Sequence, residues 1–183
     1  MHKLFYKHYF FIDKNPSQLL NLVPKNTILI YRNYKNKLNI NNLVSLKNIC
    51  RNKGIKFYIS NNIKLAIKLD LDGAYIPAFN KSFSHNAYKL KKNFKLIGSA
   101  HNLSEIRIKE KQNVSSIFVS SIFRNNKSNN FLGIYRFFNL MNLTSKNVVC
   151  LGGINENNIK KIKLLNLSEI ASISMFQKII KKA

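Results

Sequence analysis

The stretch Lys95–Ser120, KLIGSAHNLSEIRIKEKQNVSSIFVS, reads as a strand, a helix and a second strand. Lys95–Ser99 is a short β-type run, Leu103–Lys111 has helical spacing, and Ser115–Ser120 is again β-type. Two strands joined through a helix of that length must run parallel, because a tight hairpin cannot connect them. Moving outward, the same unit recurs on both sides. Toward the N-terminus, Gly73–Ile76 is a strand with a helix expected within Ser84–Lys92, and Lys56–Ile59 is a strand followed by helix Asn62–Leu69. Thr27–Arg32 is a continuous apolar strand, and Asn41–Asn52 places Leu43, Leu46, Ile49 and Cys50 at helical spacing before Gly54 closes the helix. Leu4–Ile12 is an aromatic-rich strand, and Pro16–Val23 a helical turn with Asn15 as cap and Pro16 at its first position.

Toward the C-terminus come a helix around Tyr135–Leu143, strand Asn147–Leu151, helix Glu156–Leu165, strand Glu169–Ser174 and a last helix Phe176–Lys182. Eight strand–helix units predict an α/β protein, a small closed (β/α)8 TIM barrel formed as a single domain over residues 1–183. The chain is short against the roughly 250 residues typical of such barrels, and the first helix accounts for part of the difference. A doubly wound open sheet is the structural alternative.

Composition narrows the chemistry. Hydrophobic residues make up 45% of the 183, enough for a core, yet no apolar run approaches the ~20 residues that span a bilayer. Met1–Phe11 is broken by His2, Lys3, Lys7 and His8 and lacks the form of a secretory signal, so a cytoplasmic, non-membrane protein is expected. Cys50 and Cys150 match no disulfide framework or metal motif and read as buried apolar residues. The formal charge of +24 implies nonspecific attraction to polyanions, but lysines spread along the chain alongside abundant Asn and Ile also fit AT-rich codon bias. Only seven carboxylate side chains exist, Asp13, Asp70, Asp72, Glu105, Glu110, Glu156 and Glu169, so carboxylate-rich mechanisms are hard to build. Asp72, in an Asp-Gly turn before the fourth strand, and Glu156, at a helix start, read as structural. The aromatic set Phe5, Tyr6, Tyr9, Phe10 and Phe11 reads as barrel core.

Sites in such barrels lie at the C-terminal ends of the strands. Leu151-Gly152-Gly153-Ile154-Asn155 ends the seventh strand, where paired glycines and a helix N-terminus suit a phosphate. Ser172 and Ser174, on the eighth strand, add hydroxyl donors. Arg32 at the end of the second strand suits a phosphate group. His101, after the fifth strand, is a candidate acid or base, with helix capping as the competing reading.

Several segments in this order resemble the thiamine phosphate synthase/TenI family. They are Cys50-Arg51…Gly54-Ile55, Leu71-Asp72-Gly73-Ala74-Tyr75-Ile76, Ile97-Gly98-Ser99-Ala100-His101, Ser120-Ser121-Ile122-Phe123, Gly133, Leu151–Asn155 and Ser172-Ile173-Ser174. The resemblance implies a thiazole phosphate bound by Gly152, Gly153 and Ser174, with Arg32, Asn61, Ser99, Lys127 and Ser172 among the substrate-binding positions. It further implies a pyrimidine pyrophosphate as second ligand and Mg2+ as helper of pyrophosphate departure. The family's magnesium-binding carboxylates are here Asn61, within Ser60-Asn61-Asn62, and Asn80, so no metal ligand is assigned. This departure, with Pro77 and His101, leans toward a TenI-type thiazole tautomerase. The synthase itself, a non-catalytic phosphate-binding barrel and a basic RNA-binding protein are the alternatives. A homo-oligomer is compatible with all of them.

Overall fold

A computed structural model describes residues 7–13, 20, 23, 26–34, 38–125 and 129–172. Eight parallel strands close into a barrel in chain order: β1 (Lys7–Ile12), β2 (Thr27–Tyr31), β3 (Lys56–Ser60), β4 (Gly73–Ile76), β5 (Lys95–Ala100), β6 (Ser116–Ser120), β7 (Asn147–Leu151) and β8 (Glu169–Ser172). The register Lys7↔Glu169 through Phe10↔Ser172 joins the first strand to the last and removes both sheet edges. The alternative of an open sheet is thereby excluded.

Alternation along each strand sorts side chains to two cores. Tyr9, Phe11, Ile28, Ile30, Tyr58, Tyr75, Ile97, Phe118, Val149 and Ala171 fill the barrel interior. Their neighbours in sequence, such as Phe10, Leu29, Phe57, Ala74 and Ile117, face the surrounding helices. The interior is an aromatic plug. Phe118 meets Tyr9 edge to face at 4.7 Å and Tyr75 at 5.7 Å, and Phe11 meets Tyr75 at 5.2 Å. Each such contact adds ~0.5–1.5 kcal/mol to the burial of the rings. The aromatic set of the first strand is therefore core at Tyr9, Phe10 and Phe11, while Phe5 and Tyr6 lie outside the described residues.

The bottom of the barrel is tied by Glu169. Its carboxylate accepts from Lys7 Nζ at 3.0 Å, Tyr9 Oη at 2.9 Å and Asn147 Nδ2 at 2.9 Å. Burial first, and then the Glu169 charge, push the Tyr9 hydroxyl far up, so it remains a neutral donor. Asp72 is structural as expected: its Oδ2 accepts the Phe57 N–H at 2.9 Å. Cys50 and Cys150 are buried thiols, each pushed up to about 12 by burial.

Among the described residues the helices are α1 (Ile40–Asn52), α2 (Ile63–Lys68), α3 (Leu103–Lys111), α4 (Gly133–Asn142) and α5 (Ile159–Ile162). Asparagine starts the first three: Asn39, Asn62 and Asn102 each accept an N–H three residues on. Two expected helices are cut short. Ser84–Lys92 holds only a 3-10 turn at Ser84–Ala87, because the buried His85 ring is drawn to the Gln112 carbonyl at 2.9 Å. Glu156–Leu165 reduces to α5 and a 3-10 turn at Lys163–Leu165, because the Asn155 and Asn158 amides fold the preceding residues back on themselves. The turn at Pro16–Val23 and the helix Phe176–Lys182 fall outside the described residues, wholly or for the most part.

Candidate functional site

The C-terminal ends of the strands form a polar mouth above the aromatic plug. Arg32 follows β2, and its guanidinium lies 5.0 Å over the Phe11 ring. It pairs with no carboxylate among the described residues, in a protein where cations far outnumber anions. Strand alternation turns Ser60, Ser99 and Ser120 inward, with Ser60 and Ser99 buried. Tyr34 bonds the Ser60 hydroxyl at 2.6 Å and meets Phe79 edge to face at 5.5 Å. Burial pushes the Tyr34 hydroxyl up, while Ser60 and Arg32 oppose the shift. Phe79 is 64% exposed on the rim.

Ser60-Asn61-Asn62 splits into three roles. Ser60 faces the interior, and Asn62 caps α2. Asn61, between them, adopts φ +60, a left-handed conformation that asparagine tolerates, with its N–H held by the Tyr75 carbonyl at 2.8 Å. Its Oδ1 accepts from Asn80 Nδ2 at 2.7 Å. Asn80 Oδ1 in turn accepts the Ser82 N–H at 2.9 Å. The two asparagines that stand in place of the family's carboxylates thus bond each other as neutral amides. No group of three His, Cys, Asp or Glu converges anywhere among the described residues. A hard dication wants several charged oxygens, and this donor set does not fit one.

His101 stands where β5 ends. Its Nδ1 meets Glu105 Oε2 at 2.9 Å, and its backbone N–H donates to the same oxygen at 2.7 Å. Asn102 accepts the Glu105 N–H at 3.0 Å and so caps α3, while the Glu105 carboxylate reaches back to the residue before the cap. His101 is therefore tied to the helix start, and the Glu105 carboxylate meets its ring. The side chain is 57% exposed, and Nε2 has no partner among the described residues.

Gly152 and Gly153 both have positive φ, +99 and +69. The loop after β6 packs directly on them. A Cβ on Gly152 would collide with the Ser121 side chain and lie 2.9 Å from its Cα, and one on Gly153 would collide with the Arg124 and Phe123 carbonyls. The glycine pair is thus required first for loop packing. No described residue accepts a hydrogen bond from either glycine N–H. The expected support from a helix N-terminus is absent, since α5 has four residues and starts only at Ile159. Glu156 precedes that helix instead of opening it. Ser172 Oγ is buried without a partner among the described residues, whereas Lys127 and Ser174 lie outside them.

Sequence reasoning passed over Ser120 and the Tyr34–Phe79 pair. Counting alternate positions up from Phe118 would have found Ser120. The aromatic pair depends on loop conformation, and no local pattern announces it.

A family model described as thiamine monophosphate synthase (TMP-TENI) matches residues 15–176. A protein of Prochlorococcus marinus named thiamine-phosphate synthase is 31% identical over 132 residues, 70% of this chain and 38% of that protein. A protein of the same name from Methanococcus vannielii is 25% identical over 120 residues, 64% of this chain and 58% of that protein. The matched region thus spans less than two thirds of either relative. Among solved structures, a thiamine phosphate pyrophosphorylase from Pyrococcus furiosus superposes with a TM-score of 0.75 at 18% identity, covering 98% of this chain and 96% of that one. At that identity the likeness speaks for the fold alone.

Proposed function

From the premise that the chain belongs to the thiamine monophosphate synthase family, we propose that its mouth joins a pyrimidine pyrophosphate to a thiazole phosphate. In that reaction the thiazole nitrogen bonds the pyrimidine methylene, and the methylene–oxygen bond breaks with its electron pair leaving on pyrophosphate. The reading is carried by Arg32, a guanidinium over Phe11 at the mouth that meets no carboxylate among the described residues. Such a group is pre-placed to receive charge growing on the departing pyrophosphate. Ser60, Ser99 and the Asn61–Asn80 amide pair supply neutral hydrogen-bonding groups around it. The Gly152 and Gly153 N–H groups, with Ser172 and Ser174, hold the thiazole phosphate. Lys127 belongs to the same phosphate-binding set. Because the donor set does not fit Mg2+, we assign the charge stabilisation to the protein's own cations.

A second reading has one specific observation in its favour, the His101–Glu105 pair. A histidine oriented by a carboxylate, with no partner for Nε2 among the described residues, can shuttle the proton of a thiazole tautomerisation. The deciding experiment incubates the protein with both substrates, with and without Mg2+, and follows thiamine phosphate by chromatography. In parallel, NMR follows deuterium exchange on the thiazole phosphate alone. Coupling without Mg2+ that is lost in Arg32→Ala supports the synthase reading. Exchange without coupling, lost in His101→Ala, replaces it with the tautomerase. Neither product refutes both.

A further inference from the structure

Helix α3 carries a lysine where its packing face meets the sheet. Lys109 has 0% exposure. Its stem crosses β5 at Gly98, where a Cβ would lie 2.8 Å from Lys109 Cδ. The ammonium emerges beneath the segment that follows β4. There it donates to Pro77 O at 2.9 Å, Asn80 O at 2.8 Å and Gln112 Oε1 at 2.8 Å. Gln112, also fully buried, donates both amide hydrogens to the same segment, to Asn80 O at 3.0 Å and Ser82 O at 2.8 Å. Residues 77–82 contain no regular secondary structure, so two side chains of one helix region hold their backbone. Asn80, within that segment, is the residue whose amide reaches Asn61 in the mouth.

A buried ammonium is tolerated only when its hydrogens are met. Here three hydrogens face three oxygens. A neutral amine has two hydrogens and a lone pair, so one of the three contacts would turn repulsive. We propose that Lys109 is a positioning residue of the mouth: its charged ammonium holds Pro77–Ser82 so that Asn80 meets Asn61, and deprotonation releases that segment. The consequence for ligand binding rests on the functional reading above, whereas the positioning itself does not. Burial pushes the ammonium down to about 8, and Glu105 on the same helix opposes the shift. His85 lies one step away through the Gln112 carbonyl, and Lys81 belongs to the held segment itself. At the contact itself β5 presents Gly98, and the segment after β4 presents backbone carbonyls. The release therefore falls at mildly alkaline pH.

The test follows the side-chain amides of Asn61 and Asn80 by NMR in the ligand-free protein from about pH 6.5 to 9.5, a window set around the lowered Lys109 value. Both amides should shift together with one midpoint near 8. Lys109→Met should abolish that step. Glu105→Gln keeps the acceptor oxygen but removes the charge that opposes the shift, and should move the midpoint down. A flat wild-type titration, a step undiminished in Lys109→Met, or a midpoint unmoved in Glu105→Gln overturns the proposal. Calorimetry with inorganic pyrophosphate at pH 7 and pH 9 then asks whether the wild type loses affinity relative to Lys109→Met. If the amide step is present but pyrophosphate affinity ignores it, Lys109 keeps its role and the mouth loses its assignment as the pyrophosphate site.

Discussion

Replacing Gly152 by alanine perturbs the mouth in a way that can be sized in advance. The residue sits at φ +99, beyond the region L-residues visit readily, and strain of that kind costs ~1–3 kcal/mol. The new methyl would also collide with the Ser121 side chain and lie 2.9 Å from Ser121 Cα. Carbon atoms prefer ~3.5–4.0 Å, and forcing an extra methyl into packed structure costs a further ~1–3 kcal/mol. The sum, about 4 kcal/mol, is a large share of the ~5–15 kcal/mol that holds a domain folded. Gly54→Ala is the control, with φ +66 and nothing within 4 Å of the added Cβ. It carries strain alone, about 1–2 kcal/mol. Urea unfolding measures both. With a slope near 2 kcal/mol per molar, Gly152→Ala should lower the midpoint by about 2 M. Ser121→Gly in the same chain should restore the part of the packing cost that comes from the Ser121 side chain, the approach to its Cα remaining, and a double-mutant cycle corrects for the Ser121 hydroxyl's bonds to Phe123 O at 2.7 Å and Asn125 Nδ2 at 2.9 Å. A Gly152→Ala variant no less stable than Gly54→Ala would refute the claim that loop packing, ahead of any ligand, requires glycine here.

Lys109 should leave a mark on global stability with a definite sign. Because its folded value lies near 8 against 10.5 for a free lysine, the unfolded chain binds the extra proton between those limits. Stability from this group therefore rises across that window, by about 3 kcal/mol in all. The difference between wild type and Lys109→Met, followed by urea unfolding against pH, cancels the other lysines, and parallel curves would sink the idea. Glu110 shows the opposite sign. Its carboxyl is held below the usual range chiefly by the Thr144 hydroxyl at 2.6 Å, with Arg107 helping. Its contribution is present above the ordinary carboxylate value near 4.5 and is lost as pH falls through the lowered one. Thr144→Val should raise its midpoint by carbon NMR, and an unmoved midpoint would show that Arg107 suffices. Asp72→Ala removes the acceptor of the Phe57 N–H and should cost ~1–3 kcal/mol. Because it acts at the bottom of the barrel, its affinity for thiazole phosphate should match the wild type in calorimetry.

The barrel was legible because its signal is local and repeated. Lys95–Ser120 and its counterparts alternate a strand's period with a helix's, and burial on both faces of a parallel strand leaves a run of apolar residues to read. The same logic placed Tyr9, Phe10 and Phe11 in the core, Asp72 in a supporting turn and Cys50 and Cys150 in the interior. It failed at Ser84–Lys92 and Glu156–Leu165, where apolar spacing alone suggested helices. There the side chains of His85, Asn155 and Asn158 offer the backbone other partners.

The composition of the mouth was likewise partly legible, because strand ends carry the site in any such barrel, and Arg32, Asn61, Ser99, His101 and the glycine pair all stand there. Their partners were not. Asn80 meets Asn61 across 19 residues of sequence, and Lys109 reaches Pro77 across 32. Gly152 answers to Ser121 in a neighbouring loop. Sequence periodicity fixes which face of an element is buried, since that depends on the chain's own geometry. Which side chain meets which depends on strand register, loop course and the absence of a Cβ at Gly98, and those exist only once all eight strands have closed.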